Sequence, residues 1–218
     1  MPGSARGAQP RATTGERPRY LVVALVAALV FGAGCWTEGC GRLGFLRGET
    51  DQHTKLISTI QDDAERARSE AAYQHFVDVA DMQRGRAVPM AAATFVLGAA
   101  LLALAARGLA GKSNTRSALM QVVAAQAVVV VASFFATREM WRAEANWQYE
   151  TILMQQREQL PPDTYSRVAV PVFRAMQDWG APGWLVFRTV ASGLILVALS
   201  RPRSREFFEA AARPVSER

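Results

Sequence analysis

Residues 117–160 read SALMQVVAAQAVVVVASFFATREMWRAEANWQYETILMQQREQL, and no glycine or proline occurs from Ser113 to Leu160. Residues 117–136 are almost wholly apolar and are long enough to cross the hydrocarbon core of a bilayer as an α-helix. The rest of the stretch is polar but contains no helix breaker. One helix over Ser113–Leu160 would be roughly 70 Å long, whereas the hydrocarbon core is only about 30 Å thick. The stretch therefore predicts a membrane helix, residues 117–136, that projects far beyond the bilayer.

Three further apolar blocks accompany this one, at residues 20–36, 88–106 and 184–200. A soluble chain of 218 residues could not bury four such blocks, three of them nearly free of charge. Backbone groups in lipid must be satisfied within the segment, so the blocks should be helical despite their many valines. The predicted fold class is all-α: a polytopic membrane protein with four transmembrane helices that extend into an extracytoplasmic helical module.

The basic residues predict the orientation of these helices. Arginine and lysine are in excess in the tail 1–19, which we expect to be disordered, in the loop 107–116 and in the tail 201–218. The segments 37–86 and 137–183 are nearly balanced in charge. By the positive-inside rule, both termini are predicted to be cytoplasmic, with the chain in the cell (inner) membrane. This distribution of basic residues explains the net charge of +6. The sequence contains no basic run interleaved with aromatic residues, so nucleic acid is not predicted as a partner.

Cys35 and Cys40 are the only cysteines, and both fall on the predicted outer side. An oxidising compartment favours a disulfide between them, with two free thiols as the alternative. A basic tail, an apolar block and Cys35 are also typical of a cleaved or lipidated signal segment. Gly32 stands where a lipoprotein signal usually has a larger aliphatic residue, so an uncleaved anchor is the favoured interpretation.

The outer segment 37–86 is predicted to hold a long helix over residues 49–84, ended by a hinge or break near Gly85 and Pro89. Apolar residues three and four apart predict a stripe of coiled-coil type on this helix. Its members are Ile57, Ile60, Ala64, Ala67 and Ala71. The many alanines predict a closely packed partner helix.

The second outer segment, residues 137–183, is predicted to run antiparallel to that helix and to pair with it. Trp141, Tyr149 and Ile152 fall along one face. Pro161 and Pro162 should end this projection. A shorter helix from Asp163 to Trp179, bent or interrupted at Pro171, should then return the chain to the fourth span.

Small residues within the spans predict close helix packing. In the first span they are Ala24, Ala28 and Gly32, and in the second span they are Ala99 and Ala103. Their spacing of four residues suits packing within the bundle, with an oligomer contact as the alternative.

Gln126 and Arg188 are polar residues inside predicted spans. Gln126 should bond a neighbouring helix, and Arg188 should reach the headgroups from its position one turn below Trp184 or pair with Glu139. Because an intramembrane charge is a candidate functional group, both residues could instead line an ion or substrate path.

No nucleophile, nucleotide or zinc-protease motif occurs in the sequence. His53 and His75 are the only histidines; His75 with Asp78 could supply half of a metal site but is more typical of a solvated helix face. No cofactor is predicted. The leading hypothesis is a non-enzymatic membrane protein whose outer helical module binds a protein partner or self-associates, surrounded by membrane lipid. The alternatives are a channel or transporter subunit using Arg188 and Gln126, and an outer metal-binding protein or enzyme.

Overall fold

The computed structural model describes residues 18–48, 62–112, 115–159 and 161–212, and all regular elements in these ranges are helical. The helices are α1 (Arg19–Leu46), α2 (Asp63–Leu109), α3 (Thr115–Ala136), α4 (Arg138–Gln159), α5 (Pro162–Thr164), a π-helical turn (Tyr165–Ala169), α6 (Val170–Ser200) and α7 (Pro202–Ala212). Four stretches are long and apolar enough to cross a membrane: Arg19–Leu46, Asp63–Leu109, Thr115–Ala136 and Pro162–Ser200. An all-α chain with four membrane-competent helices is therefore confirmed.

Two separate hydrophobic clusters hold the helices together. The first joins α1, α2, α3, α6 and α7 around Leu25, Leu119 and Leu199. The second joins the end of α1, the part of α2 from Phe76 to Ala91 and the start of α4 around Phe76 and Met140. We call the described parts of residues 37–86 and 137–183, which lie beyond the apolar blocks, the distal module.

The helix α2 runs without interruption through Gly85 and Pro89, so the predicted break there is wrong. Pro89 removes the hydrogen bond to the carbonyl of Gly85, but both residues are exposed on the outside of the bundle. On the inner face, Ala87 and Ala91 pack in the second cluster and hold both halves of the helix against it. Of the predicted helix 49–84, residues 49–61, including His53, lie outside the described residues.

The projection of the third span beyond its apolar block is divided between α3 and α4 at Thr137. Hydrogen bonding continues across this residue, since its amide donates to Ser133 O at 3.0 Å and the amide of Trp141 donates to Thr137 O at 3.0 Å. The Thr137 hydroxyl also donates to Ser133 O at 2.8 Å, a local bond that commonly bends helices. The predicted single helix is thus nearly continuous, with one irregular residue.

The segment before the fourth span forms a π-helical turn at Tyr165–Ala169 rather than an interruption at Pro171. Single π-helical turns insert an extra residue into a helix without ending it. Pro171 lies just after the π-helical turn, and α6 continues through Pro171 and Pro182 to Ser200. The predicted shorter helix and the fourth span are therefore parts of one helical stretch.

The tail after Ser200 contains α7, an element that the sequence reasoning did not predict. Phe208 is buried in the first cluster, and the Ser204 hydroxyl donates to Ala198 O at 2.7 Å. The guanidinium of Arg201 lies 5.0 Å from the ring centroid of Tyr20. These contacts fold the start of the tail back against α1 and α6.

The start of α2 is capped by Asp62, whose carboxylate accepts from Ala64 N at 2.8 Å and from Glu65 N at 3.2 Å. The N–H groups of Glu65 and Ala64 lower the pKa of Asp62 below its ordinary value. A depressed pKa in the folded state means that the cap stabilises fully above the ordinary pKa, and that this stabilisation is lost as pH falls through the folded value.

We expect amide protection at Ala64 and Glu65, corrected for intrinsic exchange, to fall at acid pH in the wild type. Asp62→Asn, which caps without titrating, should not show this loss, and equal losses in both proteins would contradict the prediction.

Candidate functional site

The helices α1 and α2 approach closely through glycine. A Cβ atom built on Gly39 would lie 2.6 Å from the amide nitrogen of Phe95, and one on Gly98 would lie 2.5 Å from the amide nitrogen of Trp36. A Cβ on Gly32 would lie 2.8 Å from the amide nitrogen of Leu102. No side chain fits between the two backbones at these three positions.

The predicted packing residues divide between the two helices. On α1, Ala24, Ala28 and Gly32 are buried. On α2, Ala99 is half-buried and Ala103 is exposed, so the predicted face there is rotated away from the bundle. The contact face of α2 is instead formed by Ala91, Thr94, Gly98, Leu101 and Ala105. Residues 88–106 contain many small residues, so a spacing of four residues alone could not identify which of them lie on the buried face of α2.

A row of paired polar groups runs along α1 from the middle of the apolar layer into the distal module. Arg188 donates to Glu38 Oε2 at 2.8 Å and to the Cys35 sulfur at 2.7 Å. Gln126 Nε2 also donates to the Cys35 sulfur, at 3.1 Å. One turn further along, Arg42 lies 3.6 Å from Glu38.

Arg42 links this row to α4. Its Nη2 donates to Glu144 Oε2 at 3.2 Å, and its guanidinium carbon lies 3.9 Å from the ring centroid of Trp141. Cations and carboxylates therefore alternate as Arg188, Glu38, Arg42 and Glu144, and they neutralise one another. We call this set of residues, with Cys35 and Gln126, the polar row.

Arg188 does not reach outward to the headgroups, because its side chain turns into the bundle and the residue is only 7% exposed. Its partner is Glu38 and not Glu139, which accepts instead from Gln83 Nε2 at 2.9 Å. Gln126 is 4% exposed and bonds α1 through Cys35, while its Oε1 has no partner among the described residues. The sequence could not identify Glu38 as the partner because it lies 150 residues away in the chain.

Both cysteines are free thiols in the structure, so the predicted disulfide is not formed. Cys35 and Cys40 lie on the same continuous helix, and five residues of helix rotate one about 140° from the other. Cys35 is buried against Arg188 and Gln126, whereas Cys40 is exposed. Despite Gly39, Gly41 and Gly44, α1 continues past Trp36 to Leu46, so no loop brings the two sulfur atoms together.

A cavity of ≈ 510 Å³ lies at the distal end of the polar row, between α1, α2 and α4. Glu38, Arg42 and Glu144 form part of its wall. Three stacked aromatic rings form another part of the wall. The ring centroids of Phe45 and Phe76 lie 4.8 Å apart, and those of Phe76 and Trp147 lie 5.8 Å apart.

The predicted outer face is only partly involved in packing between α2 and α4. Ile57 and Ile60 lie outside the described residues, and Ala64 and Ala67 are exposed. The contacts with α4 come from the neighbouring face: the Ser69 and Thr151 hydroxyls lie 3.2 Å apart, and Glu65 forms an ion pair with Arg157. The helices do run antiparallel and side by side. The alanine spacing predicted the wrong face of α2, because polar side chains on the neighbouring face make the contacts with α4.

On α4, the predicted face has mixed surroundings. Trp141 is half-buried beneath Arg42, Tyr149 is half-buried, and Ile152 is 37% exposed at the rim of the cavity.

His75 is exposed beside a polar cleft of ≈ 720 Å³ that is shared by α2, α4 and α6. In the part of the chain that the structure describes, no group of three histidine, cysteine or acidic residues could hold a metal ion.

A further feature was not singled out from the sequence: an exposed apolar stripe on the distal part of the fourth helical stretch. Its members, with their exposed fractions, are Val168 (56%), Val172 (50%), Met176 (61%) and Trp179 (74%). Their spacing of four, four and three residues is the signal that could have identified them. We call these four residues the distal stripe.

The surroundings of the distal stripe are polar. Gln177, next to Met176, donates to Asn146 of α4 at 2.8 Å. The adjoining cleft is lined by His75, Arg142 and Asp178, all exposed. The stripe is therefore a hydrophobic surface at a level where the neighbouring helices carry charged and polar side chains.

Comparison with protein-family models, with curated proteins and with solved structures finds no match for this chain.

Proposed function

We propose that this chain is a non-enzymatic integral protein of the cell (inner) membrane, whose four spanning helices anchor the distal module outside the cytoplasm. The module binds a protein partner or a second copy of the chain. The distal stripe carries this proposal. Exposed apolar patches rimmed by polar residues mark interaction sites in proteins.

The proposed orientation is supported by charge. The end of the bundle opposite the distal module carries Arg107, Lys112, Arg116, Arg201 and Arg203, while the distal module has nearly balanced charges. The positive-inside rule then places the termini and the α2–α3 connection in the cytoplasm.

The polar row supports a structural role more than a catalytic one, because its charged members satisfy one another. Catalytic groups would have to face a space that a substrate can enter. Cys35, Gln126 and Arg188 border a cavity of only ≈ 10 Å³. The larger cavity of ≈ 510 Å³ borders Glu38, Arg42 and Glu144, whose charges are already paired with one another.

The alternative of a channel or transporter subunit is favoured by one observation, the meeting of Arg188 and Gln126 inside the bundle. On the cytoplasmic side of these residues, the interior is closed by Leu101, Val123 and Ile195, all at most 4% exposed. The bundle as described therefore supports an anchor better than a path.

The proposal is tested by photo-crosslinking in native membranes. With p-benzoylphenylalanine in place of Met176, we expect irradiation to crosslink the chain to another protein chain, because the proposed partner contacts the distal stripe. The same group in place of Arg174, which is exposed on α6 but outside the stripe, should give at least a several-fold weaker band. Adducts with lipid alone at Met176, or no adduct, would contradict the proposal.

A further inference from the structure

The distal stripe continues the lipid-facing surface of α6. Val186, Val190, Leu194 and Val197 are 54–65% exposed and lie on the same side of the helix as the distal stripe. At about 100° of rotation per residue, the seven of these residues that lie in α6 fall within a sector of roughly 80°, and Val168 of the π-helical turn lies one turn before Val172. The charged residues of this region, Arg167, Arg174 and Asp178, lie outside that sector. One uncharged surface therefore extends from Val168 to Val197.

This surface is longer than the hydrocarbon core of the bilayer is thick. From Val168 to Val197 it measures about 44 Å, against roughly 30 Å of hydrocarbon. To fit, the helix would have to tilt by about 47°, beyond the observed range of roughly 0–40°. The bond between Gln177 and Asn146 also holds this part of α6 against the polar α4. In a helix with an ordinary tilt, the outer end of the distal stripe therefore lies beyond the hydrocarbon core.

We propose that a second copy of the chain covers it, with the two α6 surfaces packed in parallel about a two-fold axis along the membrane normal. This inference rests on the proposed function and names the partner. The occupant must be apolar inside the hydrocarbon core and remain apolar for more than 10 Å beyond that core, on the same side of the membrane. A second α6 presents an identical uncharged surface at an identical height, and two-fold dimers are the commonest protein assemblies.

Two details of the surface fit a close parallel pair. Gly183 falls in the same sector, one turn below Trp179, and a Cβ built there would have no atom within 4 Å. It leaves a notch in which two backbones can approach. A contact about 44 Å long and roughly 10 Å wide on each copy would bury close to 900 Å² in total, near the lower limit of about 1,000 Å² for specific interfaces. The expected dimer is therefore reversible.

The test is disulfide crosslinking of the purified full-length chain in liposomes, with two differently tagged copies mixed. Cys40→Ser removes the exposed native thiol, while the buried Cys35 remains. Under a mild oxidant we expect Trp179→Cys to give a dimer carrying both tags at least ten-fold faster than Arg174→Cys. Adding Gly183→Leu should slow the crosslinking of Trp179→Cys, since it fills the notch. Both cysteine positions are exposed, so neither substitution disturbs the packed interior.

The outcomes separate this inference from the proposed function. If Trp179→Cys crosslinks no faster than Arg174→Cys, the second copy is not the partner. A photo-crosslinked band at Met176 with a mass other than twice that of the chain would then keep the proposed function and overturn only the dimer. Failure of both experiments would overturn both proposals.

Discussion

Replacing Arg188 with leucine is expected to destabilise the helical bundle by about 2–4 kcal/mol. Removing one member of a buried ion pair typically costs about 3–5 kcal/mol, because the other charge is left without its partner. Here the side chain of Arg188 is 8% exposed and that of Glu38 is 26% exposed, and Glu38 keeps Arg42 at 3.6 Å, so solvation and this second partner reduce the expected loss. The loss of donors to Cys35 acts in the same direction. The measurement is unfolding of the purified protein in mixed micelles, followed by tryptophan fluorescence.

The matched control is the double variant Arg188→Leu with Glu38→Gln. Because the second change removes the carboxylate that has lost its Arg188 partner and keeps only Arg42, the double variant should lose less stability than the two single variants added together. Strictly additive losses, or a fully stable Arg188→Leu variant, would show that the pair does not stabilise the bundle. If Arg188→Leu kept its stability but abolished ion flux into liposomes, the path hypothesis would replace the anchor.

Replacing Gly39 with alanine is expected to destabilise the protein by about 2–4 kcal/mol and to separate α1 from α2 locally. The added Cβ would meet the nitrogen, Cα and Cβ of Phe95 at 2.6, 2.7 and 2.8 Å, and a helix backbone cannot move aside as the end of a side chain can. Overpacking of this kind usually costs about 1–3 kcal/mol, and more when backbone must shift.

Gly41 provides a control on the same helix, since a Cβ built there has no atom within 4 Å. Gly41→Ala should be neutral or stabilising by up to about 1 kcal/mol, because alanine favours the helix. The same unfolding measurement serves both variants. Equal effects at Gly39 and Gly41 would mean that helix propensity, and not the close contact with α2, determines the result.

Several features of this architecture are readable from the chain alone because they depend on local composition. The four apolar blocks predict four membrane-competent helices, and the lack of glycine and proline from Ser113 to Leu160 predicts a projecting helix. The prediction of a break at Gly85 and Pro89 was wrong. Both residues are exposed, and a missing hydrogen bond destabilises a helix less there while Ala87 and Ala91 hold its inner face in the second cluster. The start of α2 was not predicted correctly either, although Asp62 followed by Glu65 forms a capping signal.

The candidate site was less accessible to sequence reasoning. Gln126 and Arg188 stood out as polar groups in apolar surroundings, but Glu38 and Arg42 resembled ordinary charges of an outer segment. Cys35 and Cys40 appeared to be a pair because they are close in sequence. In the structure, α1 continues through both residues, so one faces Arg188 and the other faces away.

What the sequence by itself determines here is that four apolar blocks are helical and long enough for a membrane, and that the third helix projects beyond its apolar block. These properties follow from residue type and from the absence of breakers over a single stretch of chain. The sequence did not show that α1 continues past Trp36 or that the tail forms α7. The tertiary structure alone decides which face of each helix is buried, which partner Arg188 takes, and that the distal stripe is left uncovered within the chain. Those outcomes depend on the rotation of one helix against another, which is set by close contacts such as those of Gly39 and Gly98 with residues about 60 positions away in the chain.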